Sequence, residues 1–264
     1  MQKKQYLYSD MDGTLINSQK EISEENRQAI RDFTERGGGF AVATGRSELI
    51  TLPFIKDIPV NAPCILYNGA AVYDFSAASF LYRKTIPKDI IRTIIHTAVA
   101  VFPSVCIEAF CGGPLRLMNP AGVMDHYITD EKQPYVAGDP REASDCIKLL
   151  LYGAPERLKD IYMTLSAQNS GLFSMTFSAP FYLEILPPDV SKGRALDFII
   201  DCCQLDRSSI CAIGDFDNDL EMIKAAGLGA APSNAQEHVR KAADIIVASN
   251  DNHAVRDLIV HHLL

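Results

Sequence analysis

The chain has 264 residues, 47% of them apolar and 22% charged, with a formal net charge of −8. That is enough material for two domains with a real core, and the acidic balance excludes a general nucleic-acid partner. An acidic surface also repels phosphorylated ligands at long range, so any phosphate site must bring its own cations.

The opening Met1-Gln2-Lys3-Lys4-Gln5-Tyr6 carries no apolar leader core, and no stretch reaches the apolar length of a membrane span. A cytoplasmic protein with no membrane partner is the expectation. The seven cysteines (Cys64, Cys106, Cys111, Cys146, Cys202, Cys203 and Cys211) are odd in number and include no Cys-x-x-Cys. Most lie in apolar runs, which reads as buried free thiols rather than disulfides or a metal cluster.

The N-terminal part alternates strand and helix signals. Tyr6 to Ser9 reads as a buried strand. Ser23 then caps a helix with Glu24 and Glu25 in its first turn and Ala29, Ile30 and Phe33 on its apolar face, ending near Gly37. Phe40 to Ala43 is a second strand, and Cys64 to Tyr67 a third, closed by the turn pair Asn68-Gly69. Such alternation implies right-handed crossovers and a parallel sheet. The rhythm then changes. Val72-Tyr73 and Phe80 to Arg83 suggest a hairpin, and Pro87 opens a helix through Ile90, Ile91, Ile94 and Ile95. Val105 to Ala109, Leu115 to Met118, Cys146 to Leu151, Met175 to Phe177 and Tyr182 to Leu186 read as strands, with a helix over Ala154 to Gln168. Strands now outnumber helices, which predicts an α+β insert with a mixed or antiparallel sheet at about residues 83–186. After Pro187-Pro188 the parallel rhythm returns with a helix from Lys192, a strand over Ile210 to Ile213, a helix in the Asp217 to Ala225 region and a strand over Asp244 to Val247. The predicted fold is α/β: a Rossmann-like doubly wound parallel core, residues 1–82 and 187–264, with an inserted α+β domain.

Four polar groups fall at strand ends or helix starts: Asp10-x-Asp12-Gly13-Thr14, Thr44-Gly45-Arg46, Lys192-Gly193, and Gly214-Asp215-Phe216-Asp217-Asn218-Asp219. Ligands bind at the carboxyl ends of strands in open parallel sheets, so all four converge on one edge. Two acids at a strand tip suit a hard divalent cation and proton transfer, and repel each other without a cation between them. Simpler readings fail on particular residues. An EF-hand beginning at Asp215 would need glycine and glutamate where Leu220 and Ala226 stand, and the Gly37-Gly38-Gly39 run lacks the Gly-Lys-Ser/Thr of a P-loop, leaving a helix end and turn. His253 reads as a surface histidine at a helix start. Ala231 to Asn234 reads as a loop.

The four motifs in this order resemble the haloacid dehalogenase-like phosphatase superfamily, in its Cof-type branch with a C2-type (IIB) cap. The likeness runs along the whole chain and includes Asn68-Gly69-Ala70, Asn234-Ala235 and Ala243-Asp244. It implies Asp10 as the nucleophile that becomes phosphorylated and Asp12 as the general acid–base. It implies Thr44 and Gly45 on the phosphoryl oxygens together with Asn218, and Lys192 as the neutralising cation. Asp10, the main-chain carbonyl of Asp12, and Asp215 would hold Mg²⁺, with Asp219 behind them fixing Lys192 or a metal-bound water. The implied activity is hydrolysis of small phosphorylated metabolites, sugar phosphates first, then nucleotides, phosphoglycolate and flavin or pyridoxal phosphates. The insert would act as the cap that chooses substrate, with Glu108, Arg116, Tyr182 and Glu184 as candidate contacts. A phosphomutase of the phosphomannomutase type and a non-catalytic phospholigand-binding protein are the alternatives; the sequence does not indicate the oligomeric state.

Overall fold

A computed structural model describes residues 4–119, 123–129, 134–169 and 171–264; the opening residues 1–3, read above as carrying no leader, lie outside the described residues. Strand β1 (Tyr6–Ser9) is followed by helix α1 (Glu24–Glu35), β2 (Gly39–Val42), α2 (Glu48–Ile55), β3 (Cys64–Leu66), β4 (Ala71–Asp74) and β5 (Ser79–Arg83). The middle of the chain holds α3 (Lys88–Val101), β6 (Cys106–Phe110), β7 (Leu115–Leu117), α4 (His126–Thr129), β8 (Tyr135–Ala137), β9 (Lys148–Tyr152), α5 (Pro155–Gln168), β10 (Ser174–Ala179) and β11 (Tyr182–Leu186). The remainder is α6 (Lys192–Cys202), β12 (Ile210–Ile213), α7 (Leu220–Ala225), β13 (Leu228–Pro232), α8 (Glu237–Ala242), β14 (Ile245–Val247) and α9 (Ala254–Leu258). The chain divides into two compact units, Met1–Tyr82 with Ser191–Leu264, and Arg83–Val190.

In the first unit five parallel strands lie in the order β14-β13-β12-β1-β2. The chain reverses at β1, and β1 pairs with both β2 and β12, so Asp10 follows the strand at the topological switch point where α/β sheets bind ligands. Leu7, Tyr8, Phe40, Val42 and Ile213 have no or almost no exposed surface, as fully buried parallel strands require. Helix α1 begins as expected: the Ser23 hydroxyl accepts from Asn26 N–H at 3.3 Å. A smaller sheet, β3-β4-β5, continues beyond β2, whose following residue Ala43 bridges Ile65.

The second unit is a six-stranded sheet in the order β10-β11-β9-β6-β7-β8, antiparallel except for the β7–β8 pair. Ile107, Ala109, Leu149, Leu151, Leu183 and Ile185 point to one face and pack in a core with Ile91, Ile94 and Ile95 of α3 and Leu158, Ile161 and Leu165 of α5. Strand alternation therefore sends Glu108, Lys148 and Glu184 to the other face. The reading of the cysteines as buried free thiols needs two corrections: Cys202 and Cys203 are free but exposed, and two others are paired. Cys111 and Cys146 form a disulfide. They are 35 residues apart in sequence, and it is the antiparallel register of β6 and β9, Phe110 opposite Lys148, that brings them together. The other five cysteines are free.

Among the described residues no helix is long and apolar enough to cross a membrane. Helices α2, α4 and α8 and strands β8 and β13 escape the sequence pattern, and two of them show why. Helix α2 is apolar on every side and contains Pro53, so no period marks it; its signal is the Ser47 cap, which accepts from Ile50 N–H at 3.3 Å. Strand β13 reads Leu-Gly-Ala-Ala-Pro, poor strand formers all but one. Ala231 and Pro232, read above as loop, are its last two residues, held between β12 and β14.

Candidate active site

Asp10 and Asp12 leave β1 through a turn that only glycine can make here. Gly13 has φ +79°, and a Cβ on it would stand 2.5 Å from Asp215 Oδ2. The bare backbone thus lets the loop after β1 close against the loop after β12. Thr14 adds a hydrogen bond from its hydroxyl to Asp215 Oδ1 at 3.0 Å, and Asn234 holds the Gly13 carbonyl from its Nδ2 at 2.8 Å.

Lys192 is the first residue of α6, behind the Ser191 cap, and has no exposed surface. Its Nζ donates to Asp10 Oδ1 and to Asp219 Oδ1, both at 2.6 Å. Burial works against the ammonium, yet the two carboxylates outweigh it and raise its pKa, so the lysine stays charged. Asp219 is committed on both oxygens: Oδ2 accepts the backbone N–H groups of Asp215 and Phe216 at 3.0 and 3.1 Å. It therefore fixes both the lysine and the loop that carries Asp215. Gly214 is required beside it, since a Cβ there would fall 2.3 Å from Asp219 Cγ.

Asp10, Asp215 and Asp219 each offer an oxygen, all within 4.8 Å of one another. Burial pushes the Asp10 carboxyl well above the usual range despite Lys192, with Asp219 and Asp215 adding repulsion. Burial and Asp219 push Asp215 up to about 6. Crowding three carboxyls around one ammonium in a desolvated place is what raises Asp10 and Asp215, a cost that a bound cation would relieve, and the donors are all hard oxygens. That is the chemistry a Mg²⁺ ion fits, rather than a softer metal.

Asp12 stands apart from this cluster. Its carboxylate takes a two-pronged ion pair from Arg46, Nε to Oδ2 at 2.8 Å and Nη2 to Oδ1 at 2.7 Å. Burial raises its pKa, but the Arg46 hydrogen bonds and charge outweigh that and hold it below the usual carboxylate range. Any part Asp12 takes in metal binding is therefore left to its main-chain carbonyl.

Thr44 is buried at the exit of β2; its own N–H donates to Ile65 O at 2.8 Å and its Oγ1 accepts from Arg46 N–H at 3.2 Å. Gly45 faces Asn68, whose Oδ1 would lie 2.9 Å from a Cβ on it. Asn218 donates from Nδ2 to the same Asn68 Oδ1 at 2.9 Å. Asn68 is held in the left-handed region (φ +55°), between Tyr67 at φ +52° and Gly69 at φ +94°. Its N–H bonds Thr44 O at 3.1 Å, and Tyr67 is anchored by donating its hydroxyl to buried Glu48 at 2.7 Å. The sequence placed Asn68 in a turn and gave Thr14, Arg46 and Asn234 no task. The structure makes all four the ties between motifs. Only the Asn-Gly pair carried a signal, as a sequence that tolerates positive φ.

Of the first-unit candidates, Asp10, Lys192, Asp215 and Asp219 form the cluster, Asp12 is held by Arg46, and Thr44, Gly45 and Asn218 are linked to one another through Asn68. Glu108, Tyr182 and Glu184 are buried in the second unit; Arg116 is half-buried on the helix-facing side of β7. His253 is not at the site: it precedes α9 with φ +61°, and its Nδ1 lies 2.9 Å from Ser23 Oγ, joining α9 to the start of α1.

A family model described as haloacid dehalogenase-like hydrolase matches residues 7–259. The chain is 28% identical over 273 residues to the chloroplastic endoribonuclease YBEY of Arabidopsis thaliana, covering 97% of this chain but only 46% of that protein, so it spans about half of that relative's length. It is 26% identical over 261 residues to the 5-amino-6-(5-phospho-D-ribitylamino)uracil phosphatase YitU of Bacillus subtilis, covering 97% of this chain and 96% of that one. Among solved structures, TM0651 of Thermotoga maritima superposes with a TM-score of 0.86 at 31% identity, over 97% of this chain and 96% of the other.

Proposed function

The chain belongs to the haloacid dehalogenase-like hydrolases, and from that premise we propose that it is a Mg²⁺-dependent phosphomonoesterase acting through a phosphorylated Asp10. The observation that carries the reading is the buried Lys192 ammonium, 2.6 Å from both Asp10 and Asp219 at the switch point of the sheet. A carboxylate nucleophile and a phosphate dianion repel each other, and a desolvated fixed cation offsets that repulsion as charge spreads in the transition state.

Asp10 attacks phosphorus through a carboxylate oxygen, and the ester's bridging P–O bond breaks. Asp12, ionised against Arg46 at rest, takes up a proton from solvent and gives it to the leaving oxygen, then takes one from the water that hydrolyses the acyl phosphate. The Thr44 hydroxyl, the Gly45 N–H and the Asn218 carboxamide bind the phosphoryl oxygens. Asp219 holds Lys192. Asp10, Asp215 and the Asp12 main-chain carbonyl would hold the magnesium, which when bound supplies charge neutralisation between carboxylate and phosphate.

We assign substrate choice to the insert at 83–186, with Glu108, Tyr182 and Glu184 as candidates and Arg116, on the opposite, helix-packed face of the sheet, set aside, and small sugar or sugar-alcohol phosphates as the substrate class. The phosphoribityl group in the name of the Bacillus relative belongs to that class. The test is phosphate release from a panel of sugar, polyol, nucleotide and cofactor phosphates, with Mg²⁺ and with EDTA. Turnover on some member, lost in EDTA and reduced roughly 10⁴-fold or more in Asp10→Asn, is expected. Full activity in Asp10→Asn would overturn the reading.

A further inference from the structure

Arg46 has a contact that the phosphate chemistry above does not use. Its guanidinium engages both oxygens of Asp12, at 2.8 and 2.7 Å, while Lys20 approaches Asp12 only to 3.9 Å. The two partners differ in how firmly they are held. The Arg46 side chain is 9% exposed, against 42% for Asp12. Its guanidinium carbon lies 4.6 Å from the Phe54 ring centroid, a cation–π stack supplied by α2. Its backbone is tied at both ends, the N–H to Thr44 Oγ1 at 3.2 Å and the carbonyl to Tyr67 N–H at 3.2 Å. A planar fork, itself buried and tied, thus faces a carboxylate that is more exposed than it is. A fork defines the plane and direction of its partner, where a lysine would define only a distance.

We propose that Arg46 is a positioning residue for proton transfer, acting on the ester only through the Asp12 carboxylate that its fork orients. The inference rests on the reading of Asp12 as acid–base. As the Asp10 oxygen bonds to phosphorus, the bridging P–O bond breaks and its electron pair goes to the leaving oxygen. That oxygen takes a proton from Asp12, which has drawn it from solvent by giving up one of its two hydrogen bonds with Arg46, and the carboxylate left behind regains the full fork. Arg46 neither binds phosphate nor gives up a proton.

The prediction separates esters by leaving group. A sugar or alkyl phosphate needs its leaving oxygen protonated; p-nitrophenyl phosphate departs as a stable phenolate and does not. The ratio kcat/KM reports events up to departure of the leaving group and excludes hydrolysis of phosphorylated Asp10. With Arg46→Gln, kcat/KM for the sugar phosphate should fall about 10²-fold, within the range for general-acid catalysis, while that for p-nitrophenyl phosphate changes less than about 3-fold. Arg46→Lys should recover part of the sugar-phosphate loss. Asp12→Asn should show the same selectivity, and adding Arg46→Gln to it should cost nothing further. Equal losses on both esters, or a further loss in the double variant, would overturn the inference, the first by assigning Arg46 to phosphate binding or to folding. An Asp12→Asn variant with equal losses would overturn the role of Asp12 itself and this inference with it, leaving the Asp10 test unaffected. Matching melting curves for all variants keep folding out of the comparison.

Discussion

The two units each bury a set of carboxylates around one lysine, and they neutralise it differently. In the first unit Lys192 hydrogen-bonds two carboxylates at 2.6 Å and all three groups are at least nine-tenths buried. In the second, Lys148 and Glu184 are also buried but stand 3.6 Å apart, too far for a hydrogen bond. Glu108 beside them is pushed up to about 9 by burial, then by Asp125, so at neutral pH it carries a proton. Asp125 in turn accepts the Tyr182 hydroxyl. A buried negative charge can be met by a fixed cation or by a proton. The first unit uses the cation and still has charge left for a metal; the second lowers its charge by protonation.

Three measurements sharpen or break that contrast. The largest effect is expected from Lys192→Met. It strands Asp10 and Asp219 as desolvated carboxylates, which costs about 3–5 kcal/mol by analogy with broken buried ion pairs. Urea unfolding should show that loss, and turnover should disappear with it; an unchanged midpoint would mean that the lysine is not the balancing cation. Next is Asp215→Asn, which removes one of the crowded carboxyls of the cluster. The wild type should melt at a higher temperature as Mg²⁺ is added, because a ligand of the folded state stabilises it by mass action. The variant should lose most of that dependence while its melting point without metal holds or rises.

The smallest effect is expected in the second unit. A carboxyl whose folded pKa lies above its unfolded value contributes stability that is complete below the unfolded pKa and is lost as pH rises through the folded one. For Glu108 that window runs from about 4.5 to about 9. Glu108→Gln keeps the shape without the titration, so its melting point should gain on the wild type as pH rises from 5 to 8.5, by roughly 2–4 °C for each kcal/mol relieved. Parallel curves across that range would show that Glu108 is met by a cation after all, and the contrast between the units would collapse.

The sequence made one kind of information easy to see and another invisible. Asp10, Thr44 and Asp215 could be located because each follows an apolar strand, and Lys192 because the helix after Pro187-Pro188 starts there. Those are local signals. The Arg46–Asp12 pair spans 34 residues and depends on Phe54 in a helix whose apolar surface has no period. The Asn68–Asn218 tie spans 150 residues, and the Cys111–Cys146 bond follows from strand register. The core fold and the mixed insert were legible because alternation of strands and helices fixes crossovers. β13 was not, because its neighbours, rather than Leu-Gly-Ala-Ala-Pro itself, make it a strand.

One feature of the backbone bears on how such a chain came to be. Within the second unit Lys84 donates to the carbonyl of Pro188, so the insert's two ends meet. Within the first, Tyr82 and Phe198 stack at 5.1 Å, and Gly69 sits so close to Ser191 that a methyl group there would lie 2.0 Å from its carbonyl oxygen. The polypeptide leaves and returns through neighbouring doors. A module attached in that way can be lengthened, shed or traded among genes without rethreading the scaffold.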